Sequence, residues 1–277
     1  MTQQITRADV WAVGEAYEPY VGRWSRLVAQ EFISWLHVRN GREWLDVGCG
    51  TGALTQTILD VAKPKSVLGV DPSKGFIDYA QSRVKTRDVS FKLAAKPTVS
   101  FRVADARALP VKDHSVDAVV SGLVLNFVPE PELALAEMVR SARVGGTVAT
   151  YVWDYADKMD VIRHFWDAAV LLDDAATDLD EGRRFPVCNP EPLTQLFSDA
   201  GLKDVQVRSI DVPAQFRDFD DYWTPFLGGQ GPAPSYLATM ESTRLDTLRF
   251  AIQDSLPVKR DGSIRLTARA WAVKGRT

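Results

Sequence analysis

The sequence predicts an α/β protein with a parallel sheet, and two observations support that prediction. Apolar, strand-like segments alternate with helical segments up to about residue 153, a pattern typical of right-handed crossovers between parallel strands. In addition, residues 44–52 run from a short apolar strand into three glycines at alternate positions, and residues 53–59 then begin a helix. A strand, a glycine turn and a helix N-terminus together form a cradle for a nucleotide.

Length, charge and cysteine content restrict the class of protein further. With 277 residues, the chain can bury a full core as one enlarged domain or as two. Its net charge of −3 and its lack of a basic stripe argue against a nucleic-acid partner. Cys49 and Cys188 suit a reducing cytosol, and no apolar stretch is long enough to span a bilayer. We therefore expect a cytoplasmic protein with no membrane span and no metal site; its oligomeric state stays open.

The spacing of the glycines separates two kinds of nucleotide site. Gly48, Gly50 and Gly52, followed by Ala53, fit both the dinucleotide pattern G-x-G-x-x-G/A and the tighter pattern G-x-G-x-G. Asp46 lies two residues before the first glycine, where a carboxylate would repel a pyrophosphate but would accept from an amino group. The third glycine also falls one residue earlier than the dinucleotide pattern requires. The tighter pattern resembles that of S-adenosylmethionine-dependent methyltransferases.

Four further segments follow in the order and spacing of that enzyme class. Residues 67–73 resemble a second strand that ends at an acidic residue, and residues 99–106 resemble a third strand that leads to another. Residues 109–120 resemble the Leu-Pro segment that precedes strand four, and residues 143–147 resemble the glycine turn before strand five. Over residues 40–155 the chain therefore resembles class I methyltransferases, most closely small-molecule enzymes similar to the ubiquinone and menaquinone methyltransferases.

This resemblance implies a fold, a cofactor and a set of binding residues. The implied fold is an α/β, Rossmann-like, doubly wound seven-stranded sheet with an antiparallel last strand and, here, a helical lid insertion. The implied cofactor is S-adenosyl-L-methionine and the implied partner a small-molecule methyl acceptor. In the family, the acids at Asp71 and Asp105 hold the ribose hydroxyls and the adenine amino group. The residues expected to bind the cofactor are Arg23, Asp46, Gly48, Cys49, Gly50, Gly52, Asp71, Pro72, Asp105, Ala106 and Phe127.

We include Arg23 among the expected cofactor-binding residues for a separate reason. Residues 17–24 precede strand one, on the side where the methionine end of the cofactor is expected. A guanidinium suits a carboxylate because its fork donates twice, so we expect Arg23 to bind the methionine carboxylate, with Tyr17 or Tyr20 closing over the cofactor. The alternative is that Arg23 pairs with a surface acid on its own helix.

The second half of the chain predicts the acceptor side. Two alternating segments, residues 205–210 and 264–273, predict the last two strands, with about fifty residues between them. That insertion contains Tyr222, Trp223 and a predicted helix from about residue 235 to 255; we interpret it as a lid over the acceptor pocket, with ordinary core packing as the alternative. The predicted division is therefore a helical cap at 1–40, a methyltransferase core at 41–211 and 259–277, and the lid at 212–258.

No residue of the sequence is assigned as the catalytic base. His164 is the candidate, on the helix after strand five, with packing or solvent exposure as its alternative. Phe127 and Trp153 follow strands four and five, where their rings could stabilise a sulfonium by cation–π contact; Trp153, Tyr222 and Trp223 are expected to line the substrate pocket. The acidic run at 173–181 is expected to be a solvated face. Two other functions stay open: a non-catalytic S-adenosylmethionine-binding sensor or scaffold, and an NAD-dependent oxidoreductase.

Overall fold

A computed structural model of the protein describes residues 22–85, 96–228 and 231–277. Its seven strands are β1 (Glu43–Val47), β2 (Ser66–Asp71), β3 (Thr98–Val103), β4 (Val116–Gly122), β5 (Ala142–Trp153), β6 (Lys203–Phe216) and β7 (Ile264–Arg276). Its helices are α1 (Arg23–Leu36), α2 (Ala53–Val61), α3 (Lys74–Arg83), α4 (Pro131–Ser141), α5 (Asp160–Leu172), α6 (Glu181–Arg184), α7 (Pro190–Asp199), α8 (Phe219–Trp223), α9 (Pro232–Leu237) and α10 (Ser242–Ser255).

The strands of the described chain form one sheet in the order β3-β2-β1-β4-β5-β7-β6. The pairs β1–β2, β2–β3, β1–β4 and β4–β5 are parallel, whereas β7 is antiparallel to both β5 and β6. The predicted seven-stranded sheet with an antiparallel last strand is thus confirmed. The strand order reverses beside β1, so the carboxyl ends of β1 and β4 diverge into a crevice of the kind that binds ligands in open α/β sheets.

The central strands are apolar because both faces of the sheet are covered. In β4, Ala118, Val119 and Val120 are fully buried, and they pack into one continuous core. The predicted glycine turn before β5 lies inside that strand: the β4–β5 register shifts between Val116 and Ala118, and Gly145 there has a φ of +73°.

Helix α1 covers one face of the sheet with Trp24, Val28 and Phe32, all buried at helical spacing. The helix ends at Leu36, because His37 adopts a left-handed conformation with a φ of 52°. The spacing of the apolar residues predicts a helix from about residue 18 to residue 37, so the observed end is one residue earlier than predicted. Its predicted beginning at residues 18–21 lies outside the described residues, as do residues 89–93, for which the sequence predicts either a short strand or part of an extra loop before β3.

The insertion between the last two strands differs in detail from its prediction. Strand β6 extends to Phe216, so the segment begins later than residue 212. The single helix predicted at 235–255 is two helices, because α9 ends at Leu237 and α10 begins at Ser242 after an extended Glu241 with a ψ of 149°. No helix in the described ranges is long and apolar enough to cross a membrane.

Candidate active site

The loop after β1 requires glycine at several positions. Gly48, Gly50 and Gly52 have φ values of +71°, +50° and +84°, a region that residues with a Cβ rarely adopt. A Cβ on Gly48 would lie 2.5 Å from Cγ1 of Val124, and a Cβ on Gly52 would lie 2.5 Å from Cγ2 of Val84. Gly50 would meet nothing within 4 Å, and it lines a cavity. Two glycines therefore permit close packing, and Gly50 presents bare backbone to the cavity.

Asp71, the last residue of β2, is tied to that loop. One carboxylate oxygen accepts from the Gly50 backbone N–H at 3.0 Å, and the other accepts from the Ser73 N–H at 2.8 Å. The residue is 7% exposed and lines the cavity, and burial raises its pKa. A carboxylate offers about four lone-pair sites, so each oxygen of Asp71 has capacity for a further donor from a ligand.

Asp46 is a second buried carboxylate near the loop. One of its oxygens accepts from the Thr55 hydroxyl at 2.6 Å, while Oδ1 has no hydrogen-bond partner within the described chain. Burial, aided by the charge of Asp71, raises the pKa of Asp46 to about 7. Asp46 does not line the cavity, so the structure places it behind the glycine loop and leaves its Oδ1 an unused acceptor.

The cavity has a volume of about 440 Å³ and opens at the carboxyl ends of the central strands. That volume falls in the range of small-molecule sites, roughly 300–1,000 Å³. One end is formed by the residues around the glycine loop and β2, and the other end is mostly aromatic. The cavity is lined at the first end by Gly48, Cys49, Gly50, Asp71, Pro72, Asp105 and Ala106, and at the second by Phe127, Tyr151, Trp153, Tyr155, Ile162 and Glu181.

Asp105 also lines the cavity, and its carboxylate is held by Arg107. The backbone N–H and the Nε and Nη2 atoms of Arg107 donate to it at 2.8, 3.0 and 2.8 Å. Arg107 also pairs with Glu130 at 2.7 Å. These contacts hold the pKa of Asp105 below its usual value.

Cys49 lies between the cavity glycines as a buried thiol. Burial raises its pKa, with the charges of Asp46 and Asp71 adding to the effect. The thiolate is the nucleophilic form of cysteine, so Cys49 stays a small neutral part of the wall.

Comparison with known proteins identifies this arrangement. Residues 45–150, which contain the glycine loop, Asp71 and Asp105, match a family model described as "Methyltransferase domain". These residues belong to the methyltransferase domain family, and the chain is similar to class I S-adenosylmethionine-dependent methyltransferases.

Two relatives and a solved structure are also similar to this chain. A demethylmenaquinone methyltransferase of Symbiobacterium thermophilum is 33% identical over 128 residues, 45% of this chain and 47% of that protein. One from Geobacillus is 26% identical over 63% of this chain and 76% of that protein. The chain therefore spans about half the length of the first of these relatives. Haemonchus contortus phosphoethanolamine N-methyltransferase 2, with S-adenosylhomocysteine bound, shares the fold at a TM-score of 0.56 and 17% identity, over 95% of this chain and 56% of that chain.

Most of the predicted site residues meet at one cavity of the structure. Gly52 lies in the loop without lining the cavity, and Asp46 lies behind it. Their contacts with a cofactor stay predictions. The predicted residues that line the cavity are Gly48, Cys49, Gly50, Asp71, Pro72, Asp105, Ala106, Phe127 and Trp153.

Arg23 does not line the cavity. Its guanidinium lies 4.6 Å from the ring centre of Trp24 and 4.7 Å from that of Phe216, and its Nη1 is 3.6 Å from Asp221. The expected contact with the methionine carboxylate is therefore not supported, because aromatic faces and an acid of the insertion hold the guanidinium. Asp221 belongs to α8, so this contact is not the pairing within one helix that the alternative describes, and the role of Arg23 stays a prediction.

Three other predicted residues lie away from the cavity. Nδ1 of His164 is 3.2 Å from the Ser255 hydroxyl, on the side of α5 that faces α10, and burial lowers the pKa of this histidine. Tyr222 is fully buried and donates to the Val161 carbonyl at 2.8 Å. Trp223 stacks on Phe226 with ring centres 6.2 Å apart. None of the three is among the described residues that line the cavity, and the roles of His164 as base and of Tyr222 and Trp223 as pocket residues stay predictions.

The most informative residue that the sequence analysis missed is Glu181. We expected the acidic run that contains it to be solvated, yet Asp180 and Glu181 are 4% and 2% exposed. Asp180 is buried because it pairs with Arg163 of α5 at 2.7 Å. No local pattern distinguishes these two acids from their exposed neighbours, because their partners come from a separate helix.

Proposed function

We propose that this protein transfers a methyl group from S-adenosylmethionine to a small, largely apolar acceptor bound at the aromatic end of the cavity. One observation supports this above all others: a single cavity joins the glycine loop and Asp71 to an aromatic wall that includes Phe127 and Trp153. When bound, S-adenosylmethionine supplies a methyl group already activated by the positive charge on its sulfur. The protein then has mainly to align the two molecules and exclude water.

The first end of the cavity fits the cofactor in three respects. Gly50 presents backbone with open space where a Cβ would stand. Asp71 retains lone pairs toward the cavity for the two ribose hydroxyls. In the third respect, two acids would supply acceptors for amino groups of the cofactor: Asp46, through its unused Oδ1, for the methionine amino group, and Asp105 for the adenine amino group. In this proposal Arg23 has no part in binding.

The second end determines how the acceptor is held. Phe127 packs edge-on against Phe185 with ring centres 5.2 Å apart, and Tyr155 lies 6.0 Å from Phe185. Such a wall favours a flat, apolar body and offers ring faces to the sulfonium. Relatives named demethylmenaquinone methyltransferases support an acceptor of this kind, because a quinone ring is flat and apolar.

The insertion takes a supporting role in this proposal. Its aromatic residues pack against α5, as in the stacking of Phe226 on Phe165 at 5.0 Å, and Ile162 of α5 lines the cavity. In this proposal, residues 212–258 pack on the outer side of the acceptor wall and support it. The free, buried Cys49 and Cys188 support a reducing, cytoplasmic location.

Two measurements test the proposal. S-Adenosylhomocysteine should stabilise the folded protein by mass action, by about 2.7 kcal/mol at a hundredfold excess over its dissociation constant. The melting temperature of the protein should therefore rise with S-adenosylhomocysteine and should not rise with NAD. Labelled methyl groups from S-adenosylmethionine should then pass into a fraction of small apolar metabolites, and the variant D71A should lose this transfer. Stabilisation by NAD alone would overturn the proposal, and cofactor binding without any transfer would favour a sensor or scaffold.

A further inference from the structure

Leu123 follows β4 in a left-handed backbone conformation, with a φ of 62°. Among the residues that the structure describes, four others with a Cβ have a positive φ: His37, Lys63, His114 and Asp204. Those four are polar and exposed, whereas Leu123 is apolar and half-buried. A bulky residue with a positive φ is an outlier, and strained residues of this kind cluster at ligand-binding sites, where the surrounding structure holds them. The strain at Leu123 therefore points to a role beyond that of a turn.

Contacts on both sides of Leu123 impose this conformation. Its N–H donates to the Tyr151 carbonyl at 2.8 Å, which continues the pairing of β4 with β5. The next residue, Val124, packs against the glycine loop, because its Cγ1 lies 2.5 Å from the position of a Cβ added to Gly48. The chain therefore passes from β5 to the glycine loop within two residues, and the left-handed turn provides this change of direction.

The turn by itself does not require leucine. Glycine adopts a left-handed conformation without steric cost, and Gly48, Gly50 and Gly52 of the adjacent loop all have a positive φ. A leucine at residue 123 adds strain that a glycine would avoid, and what it adds besides strain is an aliphatic side chain. The reason for leucine therefore lies in what that side chain contacts.

Leu123 lines the cavity, and its neighbours belong to the two different ends. Val124 contacts the glycine loop of the cofactor end. Tyr151, whose carbonyl accepts from Leu123, precedes Trp153 of the aromatic end by two residues on β5. Leu123 thus presents an aliphatic surface between the site proposed for the cofactor and the site proposed for the acceptor.

This junction is where the distance between the two molecules is set. Methyl transfer requires the attacking atom to lie in line with the methyl group, at about 3–3.5 Å. A branched side chain on a backbone held from both sides has little freedom to move aside. An acceptor that meets this side chain therefore stops at a fixed distance from the glycine loop.

We propose that Leu123 determines how far the acceptor reaches toward the cofactor, and that it thereby limits the size of the acceptor and sets its distance from the methyl group. This inference rests on the proposed function and adds a specificity-determining residue to it.

Two aromatic probes that differ by one fused ring, phenol and 2-naphthol, test this limit on the full chain, with and without S-adenosylhomocysteine. Leu123→Ala removes all but the first carbon of the side chain. Ligand-observed NMR should show that it raises the affinity for 2-naphthol relative to phenol at least roughly tenfold, since one methylene in an apolar pocket already changes binding about 10–200-fold. Leu123→Met keeps a similar volume and should change that ratio, and the affinity for S-adenosylhomocysteine, less than about twofold.

Leu133→Ala is the matched control. Leu133 is exposed on α4 and is not among the described residues that line the cavity. Its truncation removes the same atoms from the surface, so it should leave the affinities of both probes and of S-adenosylhomocysteine unchanged.

A second measurement needs no variant. In the unmodified protein with isotope-labelled leucine methyl groups, assigned through bonds, the methyl protons of Leu123 should show nuclear Overhauser effects to bound phenol. The methyl protons of Leu133 should show none. This measurement decides the question even if Leu123→Ala does not fold.

The possible outcomes separate the two proposals. An unchanged ratio of the two probe affinities in Leu123→Ala would overturn the role of Leu123, as would the absence of Overhauser effects between Leu123 and phenol or the failure of both probes to bind. A loss of S-adenosylhomocysteine affinity beyond about tenfold in Leu123→Ala would also overturn it, because Leu123 would then belong to the cofactor end. Absence of S-adenosylhomocysteine binding to the unmodified protein would instead contradict the proposed function, whatever the probes show.

Discussion

The Gly50 backbone N–H donates to Asp71 at 3.0 Å, and this hydrogen bond joins the glycine loop of β1 to the end of β2. The residue proposed to hold the ribose therefore also shapes the loop against which the cofactor lies. Because one carboxylate performs both tasks, substitutions of Asp71 should affect binding and loop geometry together.

Asp71→Ala should weaken S-adenosylhomocysteine binding at least roughly tenfold, because each hydrogen bond to a charged group contributes about 1.5–3 kcal/mol. Asp71→Asn should be milder, since its amide oxygen can replace one carboxylate oxygen while its NH₂ group faces the donor at the other. Titration calorimetry measures both. Asp78→Ala, at an exposed position of α3, is the control, and unchanged affinity in D71A would remove Asp71 from the site.

Three glycines, two in the loop after β1 and one in β5, permit a matched set of variants. Gly48→Ala should destabilise the protein by several kcal/mol, because a left-handed conformation costs about 1–2 kcal/mol and overpacking against Val124 adds about 1–3 kcal/mol. Gly145→Ala has open space around its Cβ at a φ of +73°, so it should lose only the stability that the left-handed conformation costs. Gly50→Ala, at a φ of +50°, should lose a similar amount of stability to Gly145→Ala but should also weaken S-adenosylhomocysteine binding, since its new methyl group would enter the cavity.

Urea denaturation and calorimetry on those three variants separate backbone strain from steric conflict. Equal stability of the Gly48 and Gly145 variants would show that contact with Val124 contributes nothing. Full cofactor affinity in Gly50→Ala would place the ligand elsewhere.

Asp46 should make the free protein less stable as the pH rises. Its folded pKa, about 7, lies above the ordinary aspartate value of 3.8. Between these values the folded state holds a proton that the unfolded state releases, so the free energy of unfolding falls with rising pH by up to the order of 4 kcal/mol. Asp46→Asn cannot ionise and can still accept from Thr55, so it should be the more stable protein at pH 8 and similar to the unmodified protein near pH 4.

Unfolding curves at several pH values check this, with Asp254→Asn at an exposed position of α10 as the control. Asp46→Asn should also weaken the binding of S-adenosylhomocysteine at pH 8, because a neutral amide holds an ammonium group less well than a carboxylate does. If Asp46→Asn unfolds with the same pH dependence as the unmodified protein, the raised pKa of Asp46 is contradicted.

The parts of the site that the sequence predicts are those whose geometry is local. Gly48, Gly50 and Asp71 are near in sequence to the strands that position them, so their spacing alone indicates a cofactor cradle. Glu181 and Tyr222 depend instead on α5, because Trp166 and Val161 supply their partners. An acid or an aromatic in the segments that follow β5 and β6 carries no local signal of the face it will occupy, and this is why the acceptor end was predicted less well than the cofactor end.

Tyr222→Phe tests the supporting role of the insertion. The Tyr222 hydroxyl donates to the Val161 carbonyl at 2.8 Å, one residue before Ile162, which lines the cavity. Removing a buried donor costs about 1–3 kcal/mol because its partner loses a hydrogen bond away from water. We therefore expect a lower urea midpoint with an unchanged slope, whereas cofactor affinity and methyl transfer at 25 °C change less than about twofold. Tyr79→Phe, on the half-buried face of α3, should change neither quantity. A Tyr222→Phe variant with unchanged stability but impaired methyl transfer would return Tyr222 to the acceptor pocket, because only direct contact with the acceptor would separate turnover from stability in that way.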